Sequence, residues 1–151
     1  MVTAANASGI CDGAGSVIVA SEQAVKDYNL EPLAKVRSYG ITGCEPTIMG
    51  IGPVEAIRQA LQRANLTLDD VDRVEINEAF AAQFLSCAKE LDLDMTKTNL
   101  HGGAISLGHP LGASGSRIVA HLANEIQQSD TTIHVVAAGQ VVLERVQQLA
   151  F

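Results

Sequence analysis

Short β-branched runs alternate with longer amphipathic runs along this chain, and that alternation restricts the fold more than any other feature of the sequence. "SVIVA" at 16–20 reads as a buried strand, and "SEQAVKDY" at 21–28 follows as a helix with Ser21 at its N-cap. "LAKVRSYGI" at 33–41 alternates as a half-buried strand does. Pro53 suits a first helical position, and Val54, Ile57 and Leu61 then fall on one face, so 53–64 reads as an amphipathic helix. "DRVEI" at 72–76 is a strand that runs into "NEAFAAQFLSCAKEL", a helix that Asn77 can cap. Ile118, Val119, Leu122 and Ile126 give one apolar face to a helix over 114–127. "TIHVVAA" and "VVLERV" read as two strands joined at Gly139-Gln140, where glycine can take the first central position of a two-residue turn. This order predicts an α/β fold: a five-stranded mixed sheet with helices on both faces, formed by one domain over 1–151. At 151 residues and 47% hydrophobic content the chain is long enough to bury a core of that kind.

Charge and cysteine content narrow the function. A formal net charge of −7, with no local cluster of Lys or Arg, argues against a nucleic-acid partner. No apolar run approaches the roughly 18 residues of a membrane span. The first sixteen residues carry no basic side chain, which argues against a signal or transit peptide. Cys11, Cys44 and Cys87 are odd in number and form no CxxC pair. Free thiols in a reducing compartment and no metal are therefore expected. No GxGxxG follows a strand, which argues against a dinucleotide-binding domain.

The chemistry-bearing residues gather around glycine. In "GGAISLGHPLGASGSR", 102–117, His109 stands between Gly108 and Pro110 just before a helix, and glycines packed this densely imply tight turns or close backbone approaches. An imidazole titrates near working pH, so His109 suits a general base, although a loop histidine also serves as a plain structural residue. Asn77 reads either as an N-cap or as an amide donor to a developing oxyanion. "NASGICDGAG" at 6–15 reads as a turn or as a nest of backbone N–H groups for phosphate. His101, His121 and His134 have no matching context and read as surface or packing residues. Cys87 lies ten residues beyond Asn77 in the same predicted helix, about 15 Å along its axis, so the two cannot share a site. Cys11 and Cys44 fall in loops without an activating context, and the chain holds a base without an evident nucleophile.

Four stretches in order, "NASGICDGAG", "IMGIGPVEAI", "VEINEAFAAQ" and "NLHGGAISLGHPLGASGSRI", resemble the C-terminal half of a thiolase, from about Val2 to Ala138. The resemblance implies the half-thiolase layer fold and transfer of an acyl group between a cysteine thiolate and coenzyme A, in 3-ketoacyl-CoA thiolysis or acetyl-CoA condensation. It implies that His109 activates the nucleophilic cysteine and, with a water ordered by Asn77, forms an oxyanion hole. Ala4, Ser8 and Met49 would line the coenzyme A and acyl tunnel, with Ala79 and Phe80 at the acyl end. Coenzyme A would be a co-substrate, with no covalently bound cofactor and no metal. Acyl-CoA or coenzyme A and another thiolase half, or a second copy of this chain, would be the partners. The mitochondrial matrix is the compartment that the resemblance implies, and the absence of a targeting segment leaves the cytoplasm as the alternative. Two departures stand out. Thiolases are about twice as long and carry their nucleophile in an N-terminal half. Their Cys-x-Gly turn between the last two strands, which holds the acid/base thiol, is replaced here by Ala138, Gly139 and Gln140. An internal deletion or altered splice, with Met1 as an internal start, would account for both. The resemblance therefore leaves two alternatives: an acyltransferase domain inactive as this chain alone, and a non-catalytic module that binds acyl-CoA or pairs with another half.

Overall fold

Pro53 sets the backbone angle for the first turn of a helix, and apolar residues at helical spacing give that helix a face to bury; α2 accordingly spans Gly52–Ala64 and buries Val54, Ala56, Ile57, Ala60 and Leu61. It ends at Asn65, whose left-handed φ of 57° lets its N–H close back on Gln62 O and Leu61 O. The computed structural model describes residues 1–128, 134–137 and 141–144. Within them the other elements are α1 (Glu22–Asp27), β1 (Lys35–Tyr39), a 3₁₀ turn (Pro46–Ile51), β2 (Arg73–Glu75), α3 (Ala81–Leu91), α4 (Ala104–Leu107), α5 (Ser114–Gln128), β3 (His134–Ala137) and β4 (Val141–Glu144). Ser21 caps α1 as its sequence predicts, accepting from Ala24 N.

The strands form a mixed sheet in the order β1-β4-β3-β2. β1 pairs with β4 antiparallel, β3 with β4 antiparallel and β2 with β3 in parallel. The last two strands thus pair as expected, with Ala137 opposite Val141, and the turn expected at Gly139-Gln140 lies outside the described residues. Alternation along the strands separates two faces. Val74 joins the core cluster of α2 and α3 with Ile57, Leu61, Phe84 and Cys87, and Ser38 donates to Ala60 O of α2. Arg73 and Glu75 instead reach α5 through Glu125 and His121, on the face where Val135 and Leu143 pack against Ile118, Leu122 and Ile126. Helices therefore cover both faces, as the sequence predicts.

The expected fifth strand is not there. Residues 16–20 form no ladder, and Ile18 and Val19 are 93% and 86% exposed. An apolar β-branched run signals a wish for burial, but a strand also needs an edge to pair with. The described sheet ends at β1 and β2, and 16–20 pairs with neither, so its pattern alone does not bring it to an edge. Asn77 also fails to cap α3, which begins only at Ala81 with Phe80 in the cap position. The N–H of Ala81 is satisfied instead by Asn6 O at 2.8 Å. Residues 77–80 are thereby released as a connection between β2 and α3 that presents side chains to the site.

Candidate functional site

Three loops converge where β2 ends. The first, residues 6–9, is stitched to the β2–α3 connection: Ser8 N and Ser8 Oγ both donate to Ala79 O, at 2.9 and 3.0 Å, and Ala7 bridges Phe80. The second is that connection, carrying Asn77, Glu78, Ala79 and Phe80. The third carries His109, whose N–H donates to Gly9 O at 2.8 Å. Gly108 makes this last approach possible. Its φ of 95° is one that L side chains rarely adopt, and a Cβ there would press on Cys11 Sγ. The expected turn or close approach is thus met at Gly102, Gly103 and Gly108, whereas Gly112 and Gly115 face open space. The 6–15 segment builds no left-handed nest, because the described glycines with positive φ are Gly102 and Gly108 alone.

His109 is half-buried and its ring is fixed from two sides. Nδ1 lies 2.7 Å from Ser114 Oγ, on the first turn of α5. Ser114 donates its one hydroxyl proton to Pro110 O at 3.1 Å, so its oxygen is left to accept Nδ1–H. This tautomer leaves the lone pair on Nε2, the state a base requires. Asn77 Nδ2 stands 3.4 Å from both ring nitrogens. Equal distances on either side of Cε1 place the amide against the face of the ring; an in-plane position would collide with Cε1. The contact is therefore packing rather than a strong hydrogen bond. Asn77 Oδ1, at the other end of the amide, is buried and finds no donor among the described residues. One polar end of Asn77 is thus free beside an imidazole, an arrangement able to hold a small polar group or a water near Nε2.

Two residues outside the sequence expectations fix the chain on either side of Asn77. Asn99 accepts from Ile76 N at 2.9 Å, donates to Ile76 O at 2.9 Å and donates to Glu78 Oε1 at 3.0 Å. Its backbone joins the edge of β2 through Asn99 N to Val74 O, and its φ of 49° turns the chain. Glu78 in turn accepts from Ile105 N, and Gly103 lies so close to the Glu78 carboxylate that a Cβ would overlap it. The signal for Glu78 was its place directly after Asn77; Asn99 and Ser114 carry no spacing that marks them.

The remaining candidates sit further out. Phe80 is exposed, Ala4 lies on the exposed turn in which Asn6 N donates to Thr3 O, and Met49 is 70% exposed on the 3₁₀ turn packed against α3. Two shallow clefts flank the loops, of ≈ 360 Å³ along Glu78, Phe84 and Gly103 and ≈ 330 Å³ between 11–15 and 110–113. Cys87 is fully buried, donates to Gly50 O and has its thiol pushed up by burial, so it is a core residue and not a nucleophile. Cys11 and Cys44 are exposed.

Comparison with known proteins agrees with this architecture. Residues 30–142 match the family described as "Thiolase, C-terminal domain". The mitochondrial 3-ketoacyl-CoA thiolase of Mus musculus is 64% identical over 127 residues, 84% of this chain and 32% of that protein. The acetyl-CoA acetyltransferase of Escherichia coli is 52% identical over 132 residues, 87% of this chain and 34% of that protein. The crystal structure of human mitochondrial 3-ketoacyl-CoA thiolase in complex with CoA superposes with a TM-score of 0.88 at 52% identity, covering 97% of this chain and 39% of that one. The chain thus spans about a third of the length of the curated relatives it matches. This chain therefore belongs to the thiolase family, and its residues 30–142 match the C-terminal domain of that family.

Proposed function

We propose that the chain supplies the base and oxyanion-binding half of a thiolase site, and that it acts on 3-ketoacyl-CoA or acetyl-CoA only when another half provides the nucleophile. The observation that carries this reading is the His109–Asn77 contact, with Ser114 holding Nδ1 and leaving Nε2 free. His109 Nε2 would take the proton of the attacking thiol and return it to the leaving group. Its ring and a water held by the free end of Asn77 would face the thioester oxygen as charge develops there. Ser8, Ala79 and Phe80, on loops hydrogen-bonded to each other, would with Ala4 and Met49 form the wall along which coenzyme A and the acyl chain lie. The CoA complex of the human relative supports coenzyme A as the co-substrate. The name of the mouse relative, a mitochondrial 3-ketoacyl-CoA thiolase, favours the mitochondrion, with the matrix as the compartment proposed within it. The five-stranded sheet of the intact domain would then form when a partner half orders 16–20.

A second reading, a non-catalytic module that binds acyl-CoA or pairs with another half, is favoured by the exposed apolar run at 16–20. Thiolysis of acetoacetyl-CoA, followed at its thioester absorbance, separates the two. We expect no turnover by this chain alone, and turnover that depends on His109 once a nucleophile-bearing thiolase half is added. Activity in the chain alone that disappears in His109→Ala would overturn the requirement for a partner and point to Cys11 or Cys44. Tight acyl-CoA binding with no turnover in any mixture would establish the binding module instead.

A further inference from the structure

On the opposite side of β2 from Val74, three side chains from separate parts of the chain bring their ligand atoms together. His101 comes from the loop before α4, and His121 and Glu125 lie one turn apart on α5. His101 Nδ1 is 4.0 Å from Glu125 Oε2, His121 Nε2 is 3.6 Å from the same oxygen, and all three atoms lie within 4.8 Å of one another. Glu75 Oε1, on β2, is 3.9 Å from His121 Nε2 and adds a second carboxylate beside the cluster. We infer that His101, His121 and Glu125 form a binding site for one borderline divalent cation of the zinc class, with a fourth coordination position open to water.

Four features support it. Imidazole nitrogen together with one carboxylate oxygen is the donor set that zinc, cobalt and nickel share, and three protein ligands with an open position is a common arrangement. Bonds of about 2.0–2.2 Å in a tetrahedron place ligand atoms about 3.4 Å apart, so the observed separations to Glu125 need to close by about 0.6 Å at most. The carboxylate is already aimed. Arg73 Nε donates to Glu125 Oε1 at 2.7 Å, which leaves Oε2 turned to the two imidazoles in the way outer partners commonly orient a ligating carboxylate. Finally, His121 Nε2 is buried with no hydrogen-bond partner among the described residues, and the oxygens nearest it belong to carboxylates that stand beyond hydrogen-bond distance. A cation between them satisfies both sides. His101 is largely exposed and opens a path from solvent.

Bound there, the ion would staple the 98–103 loop to α5. That loop carries Asn99, so the site is tied by backbone to the segment that holds Asn77, although its existence does not depend on acyl transfer. The test uses the 151-residue protein stripped with chelator and titrated with Zn²⁺ against a chromophoric competitor, and with Co²⁺ followed by its visible spectrum. We expect one ion per chain, a cobalt spectrum without a thiolate charge-transfer band, and a melting temperature that rises with metal. His101→Asn, at an exposed position that leaves the fold intact, and His121→Gln should each weaken binding by at least the roughly 10–100-fold that loss of even an outer partner costs. Binding should persist in a Cys11→Ser/Cys44→Ser background. Undiminished affinity in the double histidine variant, loss of the ion in the cysteine background, or no stoichiometric binding below millimolar Zn²⁺ would each overturn the proposal.

Discussion

The side chain under most electrostatic tension is Glu75. It is 4% exposed, and burial raises its carboxyl to about 7; nearby Arg117 opposes that shift while Glu125 and Glu78 add to it. A carboxyl that ionises near 4.5 in the unfolded chain and near 7 in the folded one binds more protons when folded between those values, so stability falls as pH rises through that window. Glu75→Gln keeps the shape and removes the titration. In the presence of chelator, we expect the variant to match the wild type near pH 4.5 and to exceed it above pH 7, by on the order of 2 kcal/mol. Urea unfolding at a series of pH values measures this directly. A constant difference between the two proteins across the series would show that Glu75 does not titrate on unfolding.

At the scale of elements, the loop around Asn99 does more than connect. It extends the edge of β2 through Val74 N to Lys97 O and Asn99 N to Val74 O, and its one amide side chain holds Ile76 on both backbone groups. Asn99→Ala removes those bonds and leaves a non-glycine residue in the left-handed region without the side chain that suits it, so a loss of about 3 kcal/mol is expected. Asn99→Gly loses the same bonds but tolerates the angle, and should recover about 1 kcal/mol of that loss. Equal unfolding midpoints for the two variants would mean that backbone strain at Asn99 contributes nothing. Loops of this kind are what the sequence hides. The helices at α2 and α5 were legible because their apolar residues repeat at helical spacing, and β2 because a β-branched run precedes Asn77. His109 and Asn77 were legible through the glycines and the resemblance around them. Asn99 and Ser114 were not, since a side chain that bonds across 21 or 5 residues leaves no local pattern. His101 and His121 escaped for the same reason: a loop and a helix face meet only in three dimensions, and the i, i+4 spacing of His121 and Glu125 is an everyday helix pair. The run at 16–20 failed in the other direction, because local pattern reports a preference for burial and says nothing about which edge is open.

For the whole molecule that run has a consequence. Ile10, Ile18 and Val19 are 90%, 93% and 86% exposed, and Met49, Leu85, Leu107 and Leu111 are also largely exposed, while the buried core is divided into two clusters on the two faces of the sheet. A chain whose best β-forming segment is outside the sheet and in water gains free energy by covering it, and an open strand segment is a ready template for pairing with another chain. We therefore expect concentration-dependent self-association, seen in sedimentation equilibrium as a mass that grows from the 15.8 kDa monomer as protein concentration rises. Ile18→Lys/Val19→Lys tests the cause. Both residues already face solvent, so the double variant should unfold at the same urea concentration as the wild type. Full burial of a Val or Ile side chain contributes about 1.5–3 kcal/mol, and even half of that for each of the two residues amounts to tenfold or more in the dissociation constant. A net charge of −7 opposes association at low salt, so added salt should strengthen it in the wild type, whereas the two added lysines reduce that repulsion and leave the apolar contact as the term that is lost. A wild-type protein that remains monomeric at all concentrations, or a double variant that associates as strongly as the wild type, would show that 16–20 is not the contact surface.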